Sequence, residues 1–252
     1  MPWRTVARPA SSGTRGTEVI GFALTSQSKD PSITPALLQA MASHLQAQQA
    51  RLAAWWERIP LPVSYASDLS QVPDGAVVAT IVDQLDDPEA LAYHTVDGKG
   101  RPLILIGWGI IQANGGTLTG PDSLLTAISH ELCETRIDPY CGSNFDTPSL
   151  TETPEEVCDW VQGDSYEEVQ GSGFYVSNFV GPRAFDISAT AGPWDAMGLL
   201  TGPFQVRQGG YWSTRTGGPG GTWTSTFGEH VPEWKRTAKL KAGTRTAKRR
   251  AR

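Results

Sequence analysis

LLTAISHELCETRIDP, running from Leu124 to Pro139, carries the apolar spacing of one amphipathic helix. Leu124, Leu125, Ile128, Leu132 and Ile137 recur at helical intervals and predict one buried face. Upstream, Thr119, Pro121 and Asp122 offer a capping hydroxyl, a proline for the first turn and an early acid. Downstream, Asp138-Pro139 closes the segment, because proline disfavours helical backbone in the residue before it.

Within this apolar helix sit His130, Glu131 and Glu134. His130 and Glu134 are four residues apart and project from one face, one turn above the other. Glu131 lies about 100° round the helix axis, within reach of a water held between the other two. This is the layout of the HExxH zinc-protease helix with glutamate in the second ligand position. The plain structural alternative is a solvated acid pair, since short motifs recur by chance. The setting favours a metal: Ala127, Ile128, Leu132 and Cys133 surround the triplet, and buried ionised groups are paired or metal-bound.

At 252 residues the chain can bury a full core, as one large domain with extensions. No transmembrane span is legible, and MPWRTVARPASSG lacks the apolar run of a signal peptide. A cytoplasmic or virion-associated protein without membrane contact is therefore expected. Cys133, Cys141 and Cys158 do not form a disulfide framework and lack paired CxxC spacing, so reduced thiols are expected. A single Cys141–Cys158 bridge is the alternative for an exported protein.

Charge is unevenly spread. Nine basic side chains and no acid lie between Lys235 and Arg252, so the formal net charge of −5 becomes −14 on residues 1–234. An acidic body suits a cation, and a basic tail suits nucleic acid or an acidic protein surface. A purely solvated tail is the alternative.

In chain order, residues 1–17 read as an irregular N-terminal arm rich in Ser, Gly, Thr and Arg. Thr34-Pro35 opens a long helix to about Arg58, with Leu38, Met41, Leu45, Leu52 and Trp55 on its buried stripe. Val63–Ser67 and Ala76–Asp83 read as strands. Leu91–Val96 and Pro102–Trp108 flank Asp97-Gly98-Lys99-Gly100, a hairpin signal. Helix, strands, hairpin and motif helix predict an α+β fold, a mixed sheet covered by two long helices, over residues 18–234. From about Asp164 onward the chain reads as a loop-rich, Gly- and aromatic-rich half, followed by the tail at 235–252. Most of its aromatic residues are expected to pack a core, and some to line a cleft. Gly217–Gly221 reads as a turn or linker.

The order of helix, sheet with edge hairpin and metal helix resembles the N-terminal layout of zincin metallopeptidases. ALAYHTVDGKGRPLILIGWG followed by AISHELCETRIDP is similar to a bacterial and phage zincin-like metallopeptidase family with a SHELxExxxDP signature. Three further segments carry the resemblance: Glu156-Val157-Cys158-Asp159, Val176–Asp186 and Pro203–Ser213. It spans roughly residues 18–228 and implies a zincin-like fold without a particular substrate. Glu134, where zincins ordinarily carry histidine, departs from the pattern.

Catalytic zinc takes three protein ligands and leaves one position for water. His130 and Glu134 supply two. Asp159, in the acidic segment after the helix, is the expected third, with Asp138 as competitor. Asp138 ranks lower because residues 130, 134 and 138 make a row on one helix side and Asp138 can cap locally. Glu156 is expected behind the ligands, orienting His130 or a backbone group. Two carboxylates and one imidazole carry −2, which weakens Lewis acidity and slightly favours Mn²⁺ or Ca²⁺ relative to a two-histidine site. One divalent ion, zinc first among them, is the expected cofactor.

The chemistry implied is metal-assisted hydrolysis of a peptide or protein, with Glu131 as general base. Tyr175 and His94 are candidates to stabilise the transition state, although His94 also reads as a satisfied histidine on a half-buried strand. His44 reads as surface, and His230 has no motif around it. The rival function is a phage virion or other assembly protein that keeps the fold for docking. The N-terminal arm, Gly-rich half and basic tail suit that rival.

Overall fold

The computed structural model describes residues 19–87, 90–146, 151–216 and 221–228. The N-terminal arm, His230 and the basic tail, together with most of the Gly217–Gly221 segment, lie outside the described residues. Five strands, β1 (Gly21–Ser26), β2 (Val63–Tyr65), β3 (Ala76–Val82), β4 (Ala92–Val96) and β5 (Pro102–Gly107), form one sheet in the order β2-β1-β3-β5-β4. Strands β2, β1, β3 and β5 run parallel, and β4 pairs antiparallel with β5 at the edge. The chain is thus mixed α/β with a mixed sheet and few helices.

Helix α1 (Pro35–Trp55) is the crossover between parallel β1 and β2. Thr34 caps it, its side chain accepting the Leu37 N–H at 3.2 Å, and Pro35 occupies the first turn. The helix stops at Trp55, earlier than the expected Arg58 and ahead of Pro60. Glu57 turns left-handed (φ 50°), and the Arg58 N–H reaches back to the Ala53 carbonyl at 2.8 Å. That closure satisfies orphan carbonyls and ends the helix before proline is needed.

Before α3, strand β1 and helix α2 escape the sequence reading. Strand β1 is buried along nearly its whole length as a central strand, so it shows no period-two alternation. Short helix α2 (Trp108–Ala113) follows β5 directly, and the Trp108 indole N–H donates to Asp30 Oδ2 at 2.6 Å. The turn between β4 and β5 is built by Asp97, whose Oδ1 accepts the Lys99 and Arg101 amides at 2.8 and 2.9 Å.

Helix α3 (Leu124–Ile137) buries nearly every side chain. Its cap is Ser123, which accepts the Thr126 N–H at 3.1 Å, and not Thr119. Residues 117–122 loop back on the helix start instead, Thr117 O accepting from Leu124 N at 2.9 Å and Thr119 O from Tyr175 N at 2.8 Å. One apolar core, including Phe22, Leu38, Ile81, Ile106 and Ile128, joins the sheet to α1 and α3.

The remaining strands are short. β6 (Asn144–Asp146), β7 (Glu152–Pro154), β10 (Tyr211–Thr216) and β11 (Thr222–Phe227) form an antiparallel sheet in the order β11-β10-β7-β6. β8 (Ser165–Glu167) and β9 (Tyr175–Ser177) form a hairpin. A second apolar cluster gathers Trp160, Phe179, Val180, Phe185 and Trp194 against Leu52, Cys133 and Ile137 of the long helices. Through it the C-terminal region docks on the back of α3. Among the described residues, no helix is long and apolar enough to cross a membrane.

Candidate metal centre

Because α3 is regular from Leu124 to Ile137, His130 and Glu134 stand one above the other, His130 Nε2 lying 3.2 Å from Glu134 Oε1. Single-turn 3-10 helix Asp159–Val161 brings Asp159 Oδ1 to 3.3 Å from the same His130 nitrogen. Three contacts hold that turn. The Cys158 N–H donates to Glu134 Oε1 at 3.3 Å, the Trp160 ring packs against Phe185 with centroids 4.5 Å apart, and Trp160 O accepts from Arg207 N at 2.8 Å. Gly210 lies so close that an added Cβ would stand 2.3 Å from Trp160 O, so only glycine lets β10 begin there. The next residue, Tyr211, is buried and its hydroxyl bonds Asp159.

His94 arrives from the other side. The antiparallel register of β4 on β5 pairs it with Ile104 at the sheet edge beside α3. His94 Nδ1 lies 3.1 Å from Glu131 Oε2 and 3.7 Å from Glu134 Oε2, and Nε2 lies 3.8 Å from Glu156 Oε2. His94 Nε2 and Glu156 Oε2 are buried without a hydrogen-bond partner.

Asp138 is occupied locally, its two oxygens accepting the Gly142 and Ser143 amides at 2.9 Å each. Tyr175 sits in β9 at the start of α3, where its carbonyl accepts from the Thr126 hydroxyl at 3.2 Å. His44, half-buried, stacks on Phe174 with ring centroids 4.3 Å apart. Cys133, Cys141 and Cys158 are all unbridged.

Two ligand sets emerge. His130, Glu134 and Cys158 each offer one ligand atom within 4.8 Å of one another, and so do His94, Glu134 and Glu156. Cys158 as a potential donor escapes the sequence reading, because a lone cysteine in an acidic run has no ligand spacing of its own. His94 is singled out there, although not as a ligand. Tyr211 is also missed, since nothing in its β-strand sequence points towards Asp159.

The cluster is rich in carboxylates and buried. Burial pushes Glu134 and Glu156 upward as acids; neighbouring carboxylates add to the shift, whereas His130 and His94 respectively oppose it. Burial on its own would lower both imidazoles. At His130 the Glu134 charge and the Asp159 bond outweigh it, and at His94 Cys141, Glu156 and Glu131 do, so both stand well above the ordinary histidine range. Burial and the Asp159 charge raise Tyr211 further, so its phenol stays protonated and donates. Such a concentration of buried negative charge and basic imidazole favours a cation, and imidazole, carboxylate and thiolate are donors that zinc accepts.

No family model matches this chain, and no curated protein or solved structure does either.

Proposed function

We propose that this chain is a metal-dependent hydrolase of zincin-like design, a zinc peptidase in which His130, Glu134 and Asp159 hold the ion and Glu131 is the general base. The observation that carries it is His130 Nε2 standing 3.2 Å from Glu134 Oε1 and 3.3 Å from Asp159 Oδ1, with Glu131 on the same helix. The mixed sheet, with antiparallel β4 beside α3, supports the zincin-like part of the reading.

A divalent ion held by His130, Glu134 and Asp159 would supply Lewis acidity, polarising a carbonyl and lowering the pKa of water. Glu131 takes the proton of the attacking water and returns it to the leaving amine. His94, bonded to Glu131 Oε2, fixes the direction of that carboxylate. The Tyr211 hydroxyl holds Asp159 in place, and the Cys158 amide does the same for Glu134. Burial of the whole cluster excludes bulk water, which strengthens each electrostatic contact.

The test is metal analysis of the purified full chain, followed by a peptide-library cleavage screen of the zinc-loaded protein. Bound metal with cleavage at internal peptide bonds is expected. Metal-loaded protein that cleaves no peptide in the library removes the peptidase assignment, and protein that takes up no divalent metal removes the whole reading.

A further inference from the structure

We propose that the cluster is a two-cation centre, with a second divalent ion between His94 and Glu156 and Glu134 shared by both ions. This rests on the metal site proposed above and extends it. Three observations carry it.

First, Glu134 faces two ways. Its Oε1 lies 3.2 Å from His130 Nε2, whereas its Oε2 lies 3.7 Å from His94 Nδ1. The Oε2 contact is with the Nδ1 edge of the His94 ring; what marks Glu134 as a shared ligand is that the sets His130, Glu134, Cys158 and His94, Glu134, Glu156, each with ligand atoms within 4.8 Å of one another, have Glu134 alone in common. Paired ions bridged in this way stand about 3.5–4 Å apart in hydrolytic enzymes.

Second, the far side of the cluster brings a histidine nitrogen and a carboxylate oxygen together, with Cys141 beside them. The His94 side chain is 6% exposed, and its Nε2 and Glu156 Oε2 are both buried without a hydrogen-bond partner. Their separation is 3.8 Å, too long for a hydrogen bond and suited to two ligands of one cation. On the opposite edge of the ring, Nδ1 is within hydrogen-bond distance of Glu131 Oε2 at 3.1 Å. A ligating imidazole commonly places its other N–H on a carboxylate in this manner, which fixes the tautomer.

Third, the charges balance. Glu131, Glu134, Glu156 and Asp159 bring four carboxylates to the two imidazoles. With both imidazoles as neutral ligands, two divalent ions compensate all four carboxylates in this buried setting. Oxygen-rich Glu134–Glu156 coordination suits Mn²⁺ or Zn²⁺ at the second position.

The experiment is Mn²⁺ titration of the full-length chain by equilibrium dialysis, with EPR of the loaded protein. Wild type is expected to bind two equivalents with an exchange-coupled signal. Glu156→Gln and His94→Asn are each expected to bind one equivalent with an uncoupled signal. A single equivalent in wild type, lost in His130→Ala, overturns the second site and leaves the first standing. No binding in wild type overturns both. Two uncoupled equivalents that persist in Glu156→Gln overturn the shared-ligand arrangement. Should either variant fail to fold by circular dichroism, the wild-type stoichiometry and coupling decide alone.

Discussion

His94 and Glu131, 37 residues apart in the chain, meet at 3.1 Å across the gap between edge strand β4 and helix α3. The contact joins the sheet to the candidate catalytic helix and turns one oxygen of Glu131 towards the imidazole. A base must be held in position before its basicity is useful, and this pair supplies that constraint.

Glu131→Gln is therefore the sharpest test of catalysis. The amide keeps the shape of the side chain and cannot take a proton from water. Turnover is expected to fall by at least about 100-fold, with metal content and melting temperature close to wild type. Peptide cleavage at the wild-type rate in this variant would remove Glu131 as base.

Asp159 and Asp138 separate ligand from cap. His130→Ala and Asp159→Ala should each lose the zinc ion assigned to His130, Glu134 and Asp159 in a dialysis assay. Asp138→Ala should keep it and lose about 1–3 kcal/mol of stability, because the Gly142 and Ser143 amides are left without their acceptor. Zinc loss in Asp138→Ala together with zinc retention in Asp159→Ala would reverse the assignment.

Trp160 supports the site from behind. It is 1% exposed and packs on Phe185, Phe204 and Trp212. Trp160→Ala should cost about 3–5 kcal/mol in denaturant unfolding and weaken zinc binding, because Asp159 precedes it on the same turn. Unchanged zinc affinity in a folded Trp160→Ala protein would show that the turn is held by other contacts.

Asp30 predicts an acid limb of stability. The Ser32 hydroxyl, the Trp108 indole and the Ser32 amide all donate to its carboxylate and lower its pKa to about 2. A depressed acid stabilises the fold above its unfolded value, near 4, and loses that contribution as pH falls towards 2. Stability should drop across that window in wild type and drop less in Asp30→Asn. Identical acid limbs would show that Asp30 does not contribute.

Deleting Lys235–Arg252 removes nine positive charges and should leave zinc content and melting temperature nearly unchanged. Any binding to duplex DNA or heparin should weaken, and that of the full chain should fall steeply with salt. A large loss of stability on truncation would contradict a purely electrostatic role.

What the sequence determined by itself was local. Four-residue spacing sets His130 over Glu134 in any α-helix, Thr34-Pro35 starts α1, and Asp97-Gly98-Lys99-Gly100 turns β4 into β5, because each depends on neighbours within a turn or two. The acidic run around Asp159 was visible, as was the local alternative for Asp138. Short-range reading also missed features set by burial and by local backbone closure. Buried β1 shows no alternation, Ser123 took the cap from Thr119, and left-handed Glu57 ended α1 before proline. Only the tertiary structure decided which distant groups meet. Strand register brings His94 to Glu131, packing of Trp160 sets Asp159 and Cys158 against α3, and the glycine at 210 lets Tyr211 reach Asp159. Those meetings depend on burial and pairing across long separations, which no window of sequence encodes.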